Sequence, residues 1–197
     1  MPSTNSSAIS FVEQSYQRYS QEISTWIAQL AQRNVPGTES GSINLDKFNK
    51  TQEGKVYEYL CHSFPQVPSN PKKKEEVLKH PHCYFESTTF TINQAQNYPP
   101  KGLHIPKNIK KAFIDVGISL SIDAILSAAI QPYTSSPGGM SYVTEKENIL
   151  NELCLTLHKA IYAVHKNQDR TILLSFYALA QQHHLHPSKK SVECLLN

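Results

Sequence analysis

The segment from Ile109 to Ile130 carries apolar residues on several sides, so a chain that contains it must cover it rather than leave it at a surface. Val116, Ile118, Leu120 and Ile122 alternate with Gly117, Ser119 and Ser121, which is the pattern of a strand. Ile109, Phe113, Val116, Leu120 and Ala124 also fall on one helical face, and the length of the segment favours a helix. Either way it is expected to be a central element against which the rest packs. Its most apolar stretch, Ile122 to Ile130, holds Asp123 and Ser127 and is far shorter than the ~20 residues that cross a bilayer, so no membrane span is expected.

The clearest helix lies near the start. Val12, Tyr16, Tyr19, Ile23, Trp26 and Leu30 form one stripe at alternating spacings of four and three, with Ile27 beside it. Ser10 followed by Glu13 makes a capping box, and Asn34, Pro36 and Gly37 end the helix. The stripe serves core packing most simply, although a partner helix could use it too. A second helix is expected from Asp46 or Thr51 to His62, with Gly54 weakening its first part. Phe64 to Pro71 reads as a Pro-rich connection, and Asn70 with Pro71 starts a short helix that ends before Pro81. Cys83 to Ile92 is dense in aromatic and β-branched residues and is expected to be one strand, or two with a tight reversal.

Two helices follow. Thr144 and Glu147 form another capping box ahead of Leu150, Leu153, Leu157, Ile161 and Val164. Asp169 caps a last helix that turns Ile172, Leu173, Phe176, Tyr177 and Leu179 inward. The expected fold is thus α+β but predominantly helical, with about five helices around a small strand element in the middle of the chain. It forms a single globular domain over 1–197, with 1–8 and 187–197 as flexible tails. A chain of 197 residues, 39% hydrophobic and 18% charged, buries enough surface to fold without a metal or disulfide. Cys61, Cys83, Cys154 and Cys194 are scattered, and the start Met-Pro-Ser-Thr-Asn-Ser-Ser has neither the basic nor the apolar part of a signal peptide. A cytoplasmic location with free thiols is expected.

Charge concentrates in the middle of the chain. Residues 61–111 hold eight Lys/Arg against three acids, an excess of five, whereas the flanking segments are balanced to within one charge. Lys72, Lys73 and Lys74 form one cluster, and Lys107, Lys110 and Lys111, with Lys101, another. They suit a solvated face, or a surface that steers an acidic protein partner. A net charge of +3 and the absence of a recognition-helix or RNA-binding signature argue against nucleic acid.

Candidates for chemistry are few. His80, His82 and Cys83, with Cys61 and His62, are the densest set of metal-capable side chains, but they lack the paired spacing of a zinc site, so no metal or other cofactor is expected. His183, His184 and His186 complement a helix C-terminus. Cys154 and His158 lie one helical turn apart, the spacing at which an imidazole could activate a thiol, although packing with Leu150, Leu157 and Ile161 on the buried side is the simpler account of Cys154. No phosphate-binding, dinucleotide-binding, hydrolase or kinase motif occurs. Cys194-Leu195-Leu196-Asn197, with Lys189 and Lys190 upstream, has the outline of a prenylation box with an unusual last residue.

The Asn/Gln/Ser/Lys/His-rich, Gly-poor composition, the Ser-rich start and the closing Leu195-Leu196 resemble accessory or translocated proteins of bacterial type IVB (Dot/Icm) secretion systems. The likeness implies a non-catalytic subunit that docks on larger protein partners and helps to present cargo. Residues and resemblance together lead to one expectation: a protein-binding adaptor or chaperone-like subunit. The alternatives are a translocated effector anchored to a host membrane through Cys194, and a thiol- or metal-dependent enzyme.

Overall fold

The computed structural model describes residues 10–39, 41–64, 70–79, 101–134 and 147–197. Among these residues there are eight helices and no strand: α1 (Phe11–Gln32), α2 (Leu45–Phe48), α3 (Gln52–Ser63), α4 (Pro71–Lys79), α5 (Lys107–Thr134), α6 (Glu147–Asn167), α7 (Thr171–Gln182) and α8 (Lys189–Leu196). The α+β expectation is therefore corrected to a helical protein whose described residues contain no strand element. The segment that alternates from Val116 to Ile122 is a continuous piece of α5, and the strand element expected at Cys83 to Ile92 lies outside the described residues.

Helix α5 is the axis of the bundle. Every residue from Ala112 to Ile122 is buried, which explains why its sequence has no single apolar face. By length and composition Lys107–Ile130 is apolar enough to cross a membrane, but 67% of its most apolar window is buried inside the bundle, as in the core helix of a folded domain. Ser119 and Ser121 do not break this helix, because each hydroxyl donates to a carbonyl one turn back, Asp115 at 2.6 Å and Gly117 at 3.0 Å.

Helix α1 lies antiparallel along one side of α5, with Ser15 opposite Ser119 (Oγ···Oγ 2.7 Å) and Tyr19 near Phe113. Its start follows the capping signal, the Ser10 hydroxyl accepting from the Glu13 amide at 3.1 Å. Helix α6 lies against α5 and touches the head of α1, where Asn151 Oδ1 accepts from the Phe11 amide at 3.2 Å. Helix α7 folds back on α6 through Gln168–Arg170, and Leu173, Phe176 and Ala180 are buried. The C-terminal stretch expected as a flexible tail instead forms α8, which packs on α5 and α6 with Val192 and Leu195 buried.

Helices α2 and α3 close the other flank. Phe48 and Leu30 with Val35 form a small satellite core that Trp26, Ile27 and Tyr57 join. The Tyr19 hydroxyl donates to the Leu60 carbonyl at 3.1 Å, and Phe64 packs on Phe113 at 4.7 Å between centroids. Gly54, which as a glycine weakens the start of α3, is demanded by this packing. A Cβ there would sit 1.8 Å from the Phe48 carbonyl oxygen, which is backbone and cannot swing aside. Gly54→Ala should therefore destabilise the protein by about 1–3 kcal/mol, against the usual gain from replacing a helical glycine. Thermal melting checks this; an unchanged or higher melting temperature would contradict the α2–α3 contact.

Candidate functional site

Among the described residues, a cluster of charged and titratable side chains that reaches the centre of the bundle is built on Asp115. It is 4% exposed and sits on the buried part of α5, so a carboxylate there must find partners inside the protein. The Tyr162 hydroxyl donates to Oδ1 at 2.5 Å, a charge-assisted length. His158 Nε2 lies 3.5 Å from the same oxygen, at ion-pair distance without hydrogen-bond alignment, and Arg18 reaches Oδ2 at 3.5 Å. Tyr162 and His158 share a face of α6 because they are one turn apart; Arg18 comes from α1. The Phe11 ring meets the His158 ring edge-on at 5.4 Å. Burial alone would raise the Asp115 carboxyl, but His158, Tyr162 and then Arg18 more than offset it and hold the group below its ordinary value.

This arrangement ties α1, α5 and α6 together at one point, and it is closed. Each acceptor oxygen of Asp115 already faces a donor or cation, so the cluster acts as an internal anchor, not as a base awaiting a substrate. Sequence reading found His158 but not Asp115, Arg18 or Tyr162. A lone carboxylate in an apolar run is a legible signal for a buried partner set, but the partners themselves are remote in the chain, 47 residues away for Tyr162.

The thiol pairing suggested by Cys154 and His158 is not formed. His158 turns to Asp115, while Cys154 is buried on α6 and its thiol is pushed well above the ordinary range by burial and by the Asp123 carboxylate. Such a thiol is unfit as a nucleophile. Cys61 is half-buried and likewise raised by burial. His80, His82 and Cys83 lie outside the described residues, and among the described residues no three His, Cys, Asp or Glu side chains come together to hold a metal ion.

The lysines predicted to bind protein fall into two separate places. Lys72 and Lys73 are exposed on α4, and Lys74 pairs with Glu13 at 3.4 Å beside the start of α1. Lys107 and Lys111 are exposed and Lys110 half-buried at the start of α5, one turn beyond the Tyr19–Phe113 contact and so near the level of Ile23. From Glu13 to Ile23 the α1 axis rises about 15 Å, so the two groups are distinct patches.

Between α5 and α8 runs an open groove of about 590 Å³. Ala124, Ile125, Ala128 and Ala129 of α5 make its apolar floor, and Lys190 and Cys194 of α8 its far wall. Cys194 is exposed, but its neighbour Leu195 is 1% exposed, so lipidation there would have to draw Leu195 out of the core. This groove was not legible in the sequence, because α8 lies in what reads as a tail.

The anchor makes a sharp stability prediction. Asp115→Ala leaves Tyr162 and His158 unpartnered and should cost about 3 kcal/mol. Arg18→Ala, at a side chain 62% exposed, should cost less than ~1 kcal/mol. Because the folded pKa of Asp115 is depressed, its contribution is present above the unfolded value near 3.8 and is lost as pH falls through the lower folded value. Denaturant titrations below about pH 4 should show a shallower acid loss in Asp115→Asn than in the wild type; parallel curves would remove Asp115 from the anchor.

Comparison with protein-family models, with curated proteins and with solved structures finds no match.

Proposed function

We propose that this chain is a non-catalytic protein-binding adaptor, a chaperone-like subunit that docks on larger protein partners. The observation that carries the reading is the α5–α8 groove, where part of the apolar side of the central helix is left open by the described helices. Ala128 is exposed and Ala124 and Ile125 are half-buried on a helix otherwise sealed from Ala112 to Ile122. A concave apolar surface on a preformed bundle is the kind of site at which a partner side chain or helix is buried at low ordering cost. In the setting that the compositional likeness implies, the protein would be an accessory subunit of a type IVB secretion system.

The rest of the site geometry agrees. The titratable cluster is spent on holding three helices, and the Cys154 thiol is withdrawn from solvent. The exposed lysines then serve encounter, since surface charge acts chiefly on association rate.

Purification of the tagged chain from its native host should recover a protein partner in stoichiometric amount, and Ala128→Trp should reduce that recovery. A wild-type chain that runs alone and retains nothing would remove the reading. Reversing Lys72, Lys73, Lys107 and Lys111 to Glu should slow association at low salt while stability stays within ~0.5 kcal/mol per site. Lys74 is left out because Glu13 pairs with it. An unchanged association rate at low salt would separate these lysines from binding.

A further inference from the structure

The chemistry of the α5–α8 groove also states what should fill it. We propose that the groove takes an acidic amphipathic helix, laid with its apolar face on α5 and its carboxylates toward α8; the inference rests on the adaptor reading above.

Three observations carry it. First, the floor is made of small side chains at helical spacing, Ala124, Ala128 and Ala129 with Ile125, so an incoming helix can approach closely. The other common ways of holding a peptide ask for something different: a free sheet edge, or an aromatic-lined groove for a proline helix. Among the described residues there is no strand, and none of those that line the groove is aromatic.

Second, the groove is charged on one side only. Lys190 and His186 line it, and among the described residues no carboxylate does. The acid of α8, Glu193, is drawn away by Arg170 at 3.0 and 3.4 Å, so it does not cancel Lys190. Lys189 is held elsewhere as well, its ammonium 5.8 Å from the centre of the Tyr177 ring.

Third, the wall is fixed before any partner arrives. Val192 and Leu195 anchor α8 in the core, and the Arg170 and Tyr177 contacts tie it to the α7 end of the bundle. A preformed wall loses little freedom on binding.

Cys194 supplies the readout, being exposed in the groove while Cys154 is buried. The full-length chain is alkylated with iodoacetamide and followed by mass spectrometry during titration with two synthetic helices. The helices share one Leu/Ala face and carry either Glu or Lys on the other. At ten times its Kd the Glu helix should slow Cys194 alkylation about tenfold, leaving Cys61 unchanged, whereas the Lys helix should not protect. Lys190→Glu should weaken the Glu helix roughly three- to tenfold at low salt. Ala128→Trp should abolish protection, and Ala124→Gln is the second variant should the tryptophan prevent folding.

Equal protection by both helices, protection that survives both groove variants, or protection by neither helix each overturns the proposal. Protection by phosphatidylglycerol vesicles in place of the Glu helix assigns the groove to lipid and overturns it too. A chain that ignores the Glu helix yet still captures its native partner, equally well with Ala128→Trp, keeps the adaptor reading and loses this one. A chain that binds the Glu helix but recovers no native partner loses the adaptor reading instead.

Discussion

A helix buried on every side can carry a charged group into a protein only if the surrounding helices bring its partners, and the Asp115 carboxylate imposes that condition here. Its two oxygens face Tyr162 and His158 of α6 and Arg18 of α1. An axial slip of one turn along either helix would move a donor by about 5.4 Å and leave the carboxylate desolvated and unpaired. The apolar contacts around α5 are permissive by comparison, since Leu, Ile and Val tolerate small shifts of register. The Asp115 anchor therefore selects one arrangement of α1, α5 and α6 among many that would bury similar area. The Ser15–Ser119 pair, one turn along, points to the same register from a second place.

Which parts of this were legible follows from where the determining interactions lie. The stripe of α1 and its Ser10 cap are local, and Tyr16, Tyr19 and Ile23 are buried where the spacing puts them. Helix α5 was ambiguous for a physical reason: a helix covered all round has no polar face, so its residues are free to alternate as Val116 to Ile122 do without forming a strand. The α+β expectation rests on the β-branched and aromatic density of Cys83 to Ile92, a weak prior on residues that lie outside the described ones, whereas the described residues are helical. At Gly54 local propensity and tertiary need point in opposite directions, and the close approach of the Phe48 carbonyl decides.

The candidate sites divide in the same way. Spacing alone put Cys154 and His158 within reach of each other, because residues four apart in a helix are neighbours. It could not say that His158 turns toward Asp115, which lies on another helix, or that burial disables the thiol. The groove depends on α8, whose eight residues are too few for a periodic signal, with Val192 and Leu195 the whole of its buried face.

The anchor and the groove occupy different stretches of α5, and their separation follows from the same helix. From Ala112 to Ile122 burial is complete, and substitutions there act on the fold. Beyond Ile122 the covering thins: Asp123, Ala124 and Ile125 are half-buried and Ala128 is exposed, and α8 is the described helix that lies against this end. The small side chains of the floor cost the core little, since Ala124 and Ala128 have almost no surface to bury. Their place as a gap filled by Leu or Phe would raise stability and close the groove. On the adaptor reading proposed above, a helix end that the described elements leave open beside a firmly anchored wall is kept for a partner and not for the requirements of folding.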